Sequence, residues 1–249
     1  MTVVDAIVQG LPPAARLDVR IAKTELVATS HFTAAQRRRL DAVIEQLWWV
    51  AALRPDTTGL LPFVDAERPL QELHVLRLVF RGPRRGALAL LPALHRSIEH
   101  ATLFLVDGAG GAHLSLARKR KAGGNNEGVV VDDIVGVDVG ADIGDAVAAA
   151  FVVGAADLRG VFSAWRRALV GVSRAVVTGA FVVPVDDAAA RTLESDLTRR
   201  ALLLQQQKKQ TKQLQRETQM ARRVALSLAL QDLDREVSGI QLRIQGTGS

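Results

Sequence analysis

Cysteine is absent from the 249 residues, which excludes disulfides, thiolate zinc sites and cysteine nucleophiles, and fits a reducing cytoplasm. Long apolar runs are missing as well. The longest, AVAAAFVVGAA at 146–156, falls well short of the roughly 20 residues that a membrane-spanning helix needs. The N-terminal MTVVDAIVQGLPP has no basic n-region, and Asp5 interrupts its apolar start, so no signal peptide is expected. A soluble cytoplasmic protein with no membrane partner follows as the expectation.

The common catalytic patterns are missing too. Nucleases of the PD-(D/E)xK type place an acid two positions before a lysine on one strand, yet the lysines at 23, 119, 121, 208, 209 and 212 all follow a non-acidic residue at that distance. DGAGGAH at 107–113 has the glycines of a phosphate-binding loop but no lysine, and it reads as a hairpin turn between two strands. The five histidines, 31, 74, 95, 100 and 113, form no His-x-x-x-His. His95 and His100 lie five apart, which splays them on a helix, so a shared metal is not expected. Asp132, Asp133, Asp138, Asp142 and Asp145 lack the alternate spacing of a calcium loop and read as strand-edge and turn residues. No catalytic residue, metal or cofactor is therefore assigned. A metal-dependent nuclease or other enzyme built on Glu72 and the 132–145 aspartates stays as an alternative.

What is present begins with a core: 48% of the residues are hydrophobic, enough for a globular body. Residues 33–52, TAAQRRRLDAVIEQLWWVAA, predict a helix with Thr33 as N-cap, Leu40, Val43, Ile44, Leu47 and Trp48 at helical spacing, and Pro55 beyond its end. Trp48 and Trp49 read as core. LHVLRLVF (73–80) predicts a strand, LALLPALHRSIEHA (88–101) a helix, and TLFLVD (102–107), HLSLARKR (113–120) and VVVDDIVGVDV (129–139) three further strands. GAGG and AGGNNEG supply the turn and the loop between them. Residues 143–177 predict at least two helical pieces. The fold class is α/β (α+β), a mixed-sheet body with flanking helices.

TGAFVVPVDD (178–187) marks a boundary, dividing the chain into a body, 1–186, and a tail, 187–249. No Gly or Pro stands between Pro184 and Gly239, so the tail predicts one long projecting C-terminal helix, coiled-coil-like, of roughly 87 Å at 1.5 Å per residue. Its distal seam, Leu230, Leu233, Val237, Ile240 and Ile244, steps by threes and fours and predicts helix–helix contact, with self-association or a scaffold role as one outcome.

Acidic residues are scarce where basic ones gather. The net charge is +6, and residues 191–249 carry eleven Lys or Arg against six Asp or Glu, so nearly all of the surplus lies there. Within 199–228 eight cations face the single acid Glu217: Arg199, Arg200, Lys208, Lys209, Lys212, Arg216, Arg222 and Arg223. A second group, Arg118, Lys119, Arg120 and Lys121, leads from a strand into a glycine-rich loop. Uncompensated cations of this kind predict a polyanion or an acidic protein surface as partner. The 199–228 stretch has no aromatic residue, so base stacking is not indicated.

Five stretches, RIAKTEL (20–26), IEQLWWVAALRPDTTGL (44–60), LQELHVLRLVF (70–80), HLSLARKR (113–120) and RETQMARRVALSLALQDLDREV (216–237), together resemble, in order, a bacterial family known as domain of unknown function 4391. Lys23, Trp49, Pro55, Glu72 and Lys119 or Arg120 match its pattern. Ala52 before Leu53, the trio Thr57, Thr58 and Gly59, and Leu94, His95, Ile98 and Glu99 depart from it. The resemblance implies a setting beside helicases and DNA methyltransferases in restriction-like phage-defence loci. The expected role is a non-enzymatic accessory subunit of such a complex, with a helicase or methyltransferase as protein partner and DNA on the basic helix.

Overall fold

The computed structural model describes residues 1–28, 32–81, 84–107, 111–121 and 129–246; most of the GAGG turn and all of the AGGNNEG loop lie outside them. Two compact units emerge, Met1–Val172 and Ser173–Ser249. The second thus takes in the last turns of a helix that precedes the 178–187 boundary segment.

The first unit opens with helix α1 (Val3–Gly10), begun by a capping box in which the Thr2 hydroxyl accepts from the Asp5 amide and the Asp5 carboxylate accepts from the Thr2 amide, both at 3.1 Å. Then come α2 (Lys23–Ala28), α3 (Ala34–Val43), the single turn α4 (Pro55–Thr58), α5 (Arg84–Leu88), α6 (Leu91–Ser97), α7 (Gly144–Ala150) and α8 (Leu158–Thr178). Six strands form one sheet whose spatial order follows the chain: β1 (Arg16–Arg20), β2 (Ile44–Leu53), β3 (Leu73–Phe80), β4 (Ala101–Asp107), β5 (Ala112–Lys121) and β6 (Val129–Val139). Every neighbouring pair is antiparallel except β3 and β4. A parallel pair needs a crossover, and α5 and α6 supply it. The fold is α+β with a mixed sheet, as the patterning predicts.

One face of the sheet buries Leu47, Leu76, Leu78, Phe104 and Val106 with Leu40 of α3 and Leu90, Leu91 and Leu94 at α6. Each such side chain contributes roughly 1.5–3 kcal/mol on burial. On the other, α1 and α7 pack together and α1 touches β4. There Arg77 of β3 binds Asp5 of α1 at 3.0 Å and also Asp107, and Arg166 of α8 pairs with Asp133 of β6.

Two expectations are corrected. Thr33 does cap a helix, with Gln36 completing the box, but α3 stops at Val43 and Ile44–Leu53 is a strand. Ile44, Leu47, Val50, Ala51, Ala52 and Leu53 are all buried between β1 and β3. A strand covered on both faces loses its alternation and imitates a buried helix. Trp48 and Trp49 are half-buried, their indole N–H groups satisfied by Gln46 and the Ala51 carbonyl.

The expected single C-terminal rod is two helices, α9 (Asp187–Arg216) and α10 (Met220–Gly246), roughly 45 and 40 Å long. They run antiparallel side by side. Arg243 binds Asp196 near one end, and Gln207 reaches Asp234 further along. The break needs neither Gly nor Pro. The Glu217 carboxylate accepts the amides of Thr218 and Gln219 at 3.0 and 2.9 Å, satisfying donors that a continuous helix would have paired internally. The seam then closes within the chain: Leu233, Ile240 and Ile244 of α10 are buried, as are Ala190, Leu193 and Leu203 of α9, with Leu230 and Val237 half-buried. At the same end as the Arg243–Asp196 bridge, the buried Arg174 guanidinium donates to the carbonyls of Ala180, Ile244 and Gln245, each at 3.0 Å.

Candidate functional site

The hairpin sorts the eight cations of 199–228 into two groups. Near its base, Arg199 forms a salt bridge with Glu236 at 2.7 Å and Arg200 binds Gln241 at 2.7 Å. Toward its tip, Lys208, Lys209, Lys212, Arg216, Arg222 and Arg223 are all exposed. None of these six has an acidic partner among the described residues. Lys208 and Lys212, one turn apart, line a shallow depression with Gln207, Thr211 and Gln215. The six positions fall within about 15 Å along the hairpin axis. The one acid between them, Glu217, is turned onto backbone amides.

The second basic group is dispersed. Arg118 to Lys121 lie on β5, where successive side chains alternate between faces. Arg120 binds Asp132 at 2.8 Å, and Arg68 shares that carboxylate. Lys119 is turned inward, its ammonium donating to the carbonyls of Ile98 and His100 at 2.6 Å each, and burial pushes it down to about 7. Lys121 is exposed.

The aspartates of the nuclease alternative do not gather around Glu72. Asp132 belongs to Arg120 and Arg68, Asp133 to Arg166, and Asp138 to His113 at 2.6 Å.

Glu72 meets histidines instead. It accepts from the His74 ring at 2.8 Å, and the His74 and His100 rings lie 4.8 Å apart. Trp49 flanks His74 at the same centroid distance. Burial holds the His74 imidazole below its ordinary value, against the pull of the Glu72 hydrogen bond. Burial tends to raise Glu72, but the His74 hydrogen bond and the His100, His74 and Arg54 charges outweigh it and leave the carboxyl below its usual range. The parallel register explains this convergence. Leu73 pairs with Ala101, so one residue further back Glu72 faces His100, while Glu72 and His74, two apart on extended chain, share a face. Linear spacing does not reveal this cluster. Its only local signal is Glu-x-His ahead of a strand; the partner stands 28 positions on and is brought in by strand pairing. His95 is elsewhere, buried against Ser115 at 2.9 Å and edge-on to Phe104.

A six-stranded mixed sheet and a basic helical hairpin thus define an α+β protein that carries a concentrated cationic surface and a histidine–glutamate cluster. The chain belongs to the family Domain of unknown function (DUF4391), whose model matches residues 10–237. No curated protein and no solved structure matches it. Trp49 and the Lys119 ammonium border the histidine–glutamate cluster, of which Glu72 is a member. No helix among the described residues is long and apolar enough to cross a membrane.

Proposed function

We propose that this protein is an accessory subunit that acts by binding, gripping DNA through the tip of the α9–α10 hairpin while it docks on a helicase or DNA methyltransferase of a restriction-like defence system. The observation that carries the DNA half is the group of six exposed cations without acidic partners among the described residues, Lys208, Lys209, Lys212, Arg216, Arg222 and Arg223. Phosphates engaged by such side chains release condensed counterions, which favours binding without regard to sequence. The neighbouring Gln207, Thr211 and Gln215 add neutral hydrogen-bonding groups suited to sugar–phosphate contacts. The protein-partner half rests on the setting that the family resemblance implies.

Reversing four charges at once, Lys208→Glu, Lys209→Glu, Lys212→Glu and Arg216→Glu, is expected to weaken duplex binding on the order of a hundredfold or more at physiological salt. A charge-matched control, Arg20→Glu, Arg38→Glu, Arg39→Glu and Arg191→Glu, also changes exposed residues and is expected to lose only a few-fold. Fluorescence anisotropy with a labelled duplex reads both. Equal losses in the two variants would reduce the hairpin to a share of the net charge and overturn the proposal. The protein half is checked by co-expressing the chain with neighbouring genes and testing whether a helicase or methyltransferase co-purifies. Its absence would remove that half alone.

A further inference from the structure

We propose that Glu72, His74 and His100 form a binding site for one divalent transition-metal ion of the zinc class. One ligand atom from each of the three lies within 4.8 Å of the other two, at the point where β3 and β4 begin. On zinc, with bonds of roughly 2.0–2.2 Å, tetrahedral neighbours stand about 3.4 Å apart. The His74–Glu72 contact, now 2.8 Å, opens by about half an ångström and the longer separations close by about an ångström or so. Side-chain rotation supplies both movements. Two imidazoles and one carboxylate suit a borderline ion better than magnesium or calcium, which take oxygen ligands.

The surroundings fix the donors without occupying them. The Trp49 ring holds the plane of His74 at 4.8 Å. Lys119 ties down the carbonyls of Ile98 and His100 and so anchors the segment that delivers His100. Outer-layer contacts of this kind orient metal ligands. His74 is nearly buried, whereas Glu72 and His100 are half-buried, which leaves a path in from solvent. Three protein ligands leave a fourth position for water or another molecule. The site is independent of the hairpin cations: it lies on the sheet, and its presence neither requires nor replaces DNA binding.

The test titrates the metal-free full chain with Zn²⁺ by calorimetry and with Co²⁺ by visible absorption. One ion per chain is expected, with d–d bands of a low-coordinate cobalt site and a higher thermal midpoint on adding Zn²⁺. His100→Ala and Glu72→Gln are expected to lose at least about tenfold in affinity and most of the thermal shift. Glu72→Gln keeps a hydrogen-bond acceptor beside His74, so a folded variant is available even if His100→Ala fails to fold. Absence of stoichiometric binding at tens of micromolar Zn²⁺, or unchanged affinity in the Glu72→Gln chain, would overturn the site.

Discussion

Replacing Arg174 with methionine is expected to lower the stability of the C-terminal unit by on the order of 3 kcal/mol. The guanidinium is buried and makes three hydrogen bonds, to Ala180, Ile244 and Gln245. Two of these acceptors are carbonyls in the last turn of α10, where a helix leaves its carbonyls without internal donors and presents the negative end of its dipole. Methionine matches the length of the side chain but removes all three charge-assisted donations, the buried one to Ile244 and the part-buried ones to Ala180 and Gln245, a loss partly offset by relief of the buried charge. Arg174→Lys keeps the charge but has one nitrogen where the fork has three, so an intermediate loss is expected. Urea denaturation followed by circular dichroism, with amide exchange in α10, provides the measurement. A methionine variant within about 0.5 kcal/mol of the parent would show that the three contacts do not hold the hairpin's end.

Acid is expected to destabilise the sheet-bearing unit as soon as the pH falls below neutrality. His95 is fully buried, and burial pushes its imidazole down to about 3, whereas in the unfolded chain histidine titrates near about 6.5. Between those values the unfolded chain holds a proton that the folded chain refuses. The stability tied to His95 is therefore complete above about 6.5 and falls as the pH drops toward 3, on the order of 1 kcal/mol per pH unit. His74 and Glu72, both held below their ordinary values, act in the same direction. His95→Gln keeps a partner for the Ser115 hydroxyl but cannot titrate. Between pH 7 and pH 5 the parent is expected to lose roughly 2 kcal/mol more than this variant, read from denaturant midpoints at the two pH values. Parallel profiles would mean that His95 is protonated in the fold.

Much of the architecture was legible because it is written locally. Thr33 announces a helix start, and the runs at 73–80, 102–107, 113–120 and 129–139 stand out as β-rich between turn residues and fall within β3 to β6. The misreadings share a cause: the deciding interaction is remote. Ile44–Leu53 carries apolar residues at spacings that suit either a helix or a doubly covered strand, and only pairing with β1 and β3 decides. The tail breaks at Glu217, a residue with no helix-breaking tendency, because folding back lets Leu233, Ile240 and Ile244 be buried within the chain. The cationic cluster was readable from composition, but its division into partnered Arg199 and Arg200 and unpartnered tip residues was not, since Glu236 and Gln241 lie about forty positions away. Glu72, His74 and His100 escaped notice for the same reason, as parallel strands bring together residues that linear spacing keeps apart.

The salt dependence of DNA affinity tests the central reading most directly. With all six tip cations on phosphates, a plot of log K against log salt for a plain duplex should have a slope of about −5, and affinity should fall about a thousandfold between 50 and 200 mM salt. A slope shallower than about −1, or no measurable binding at the lowest salt, would mean that these side chains meet water rather than nucleic acid.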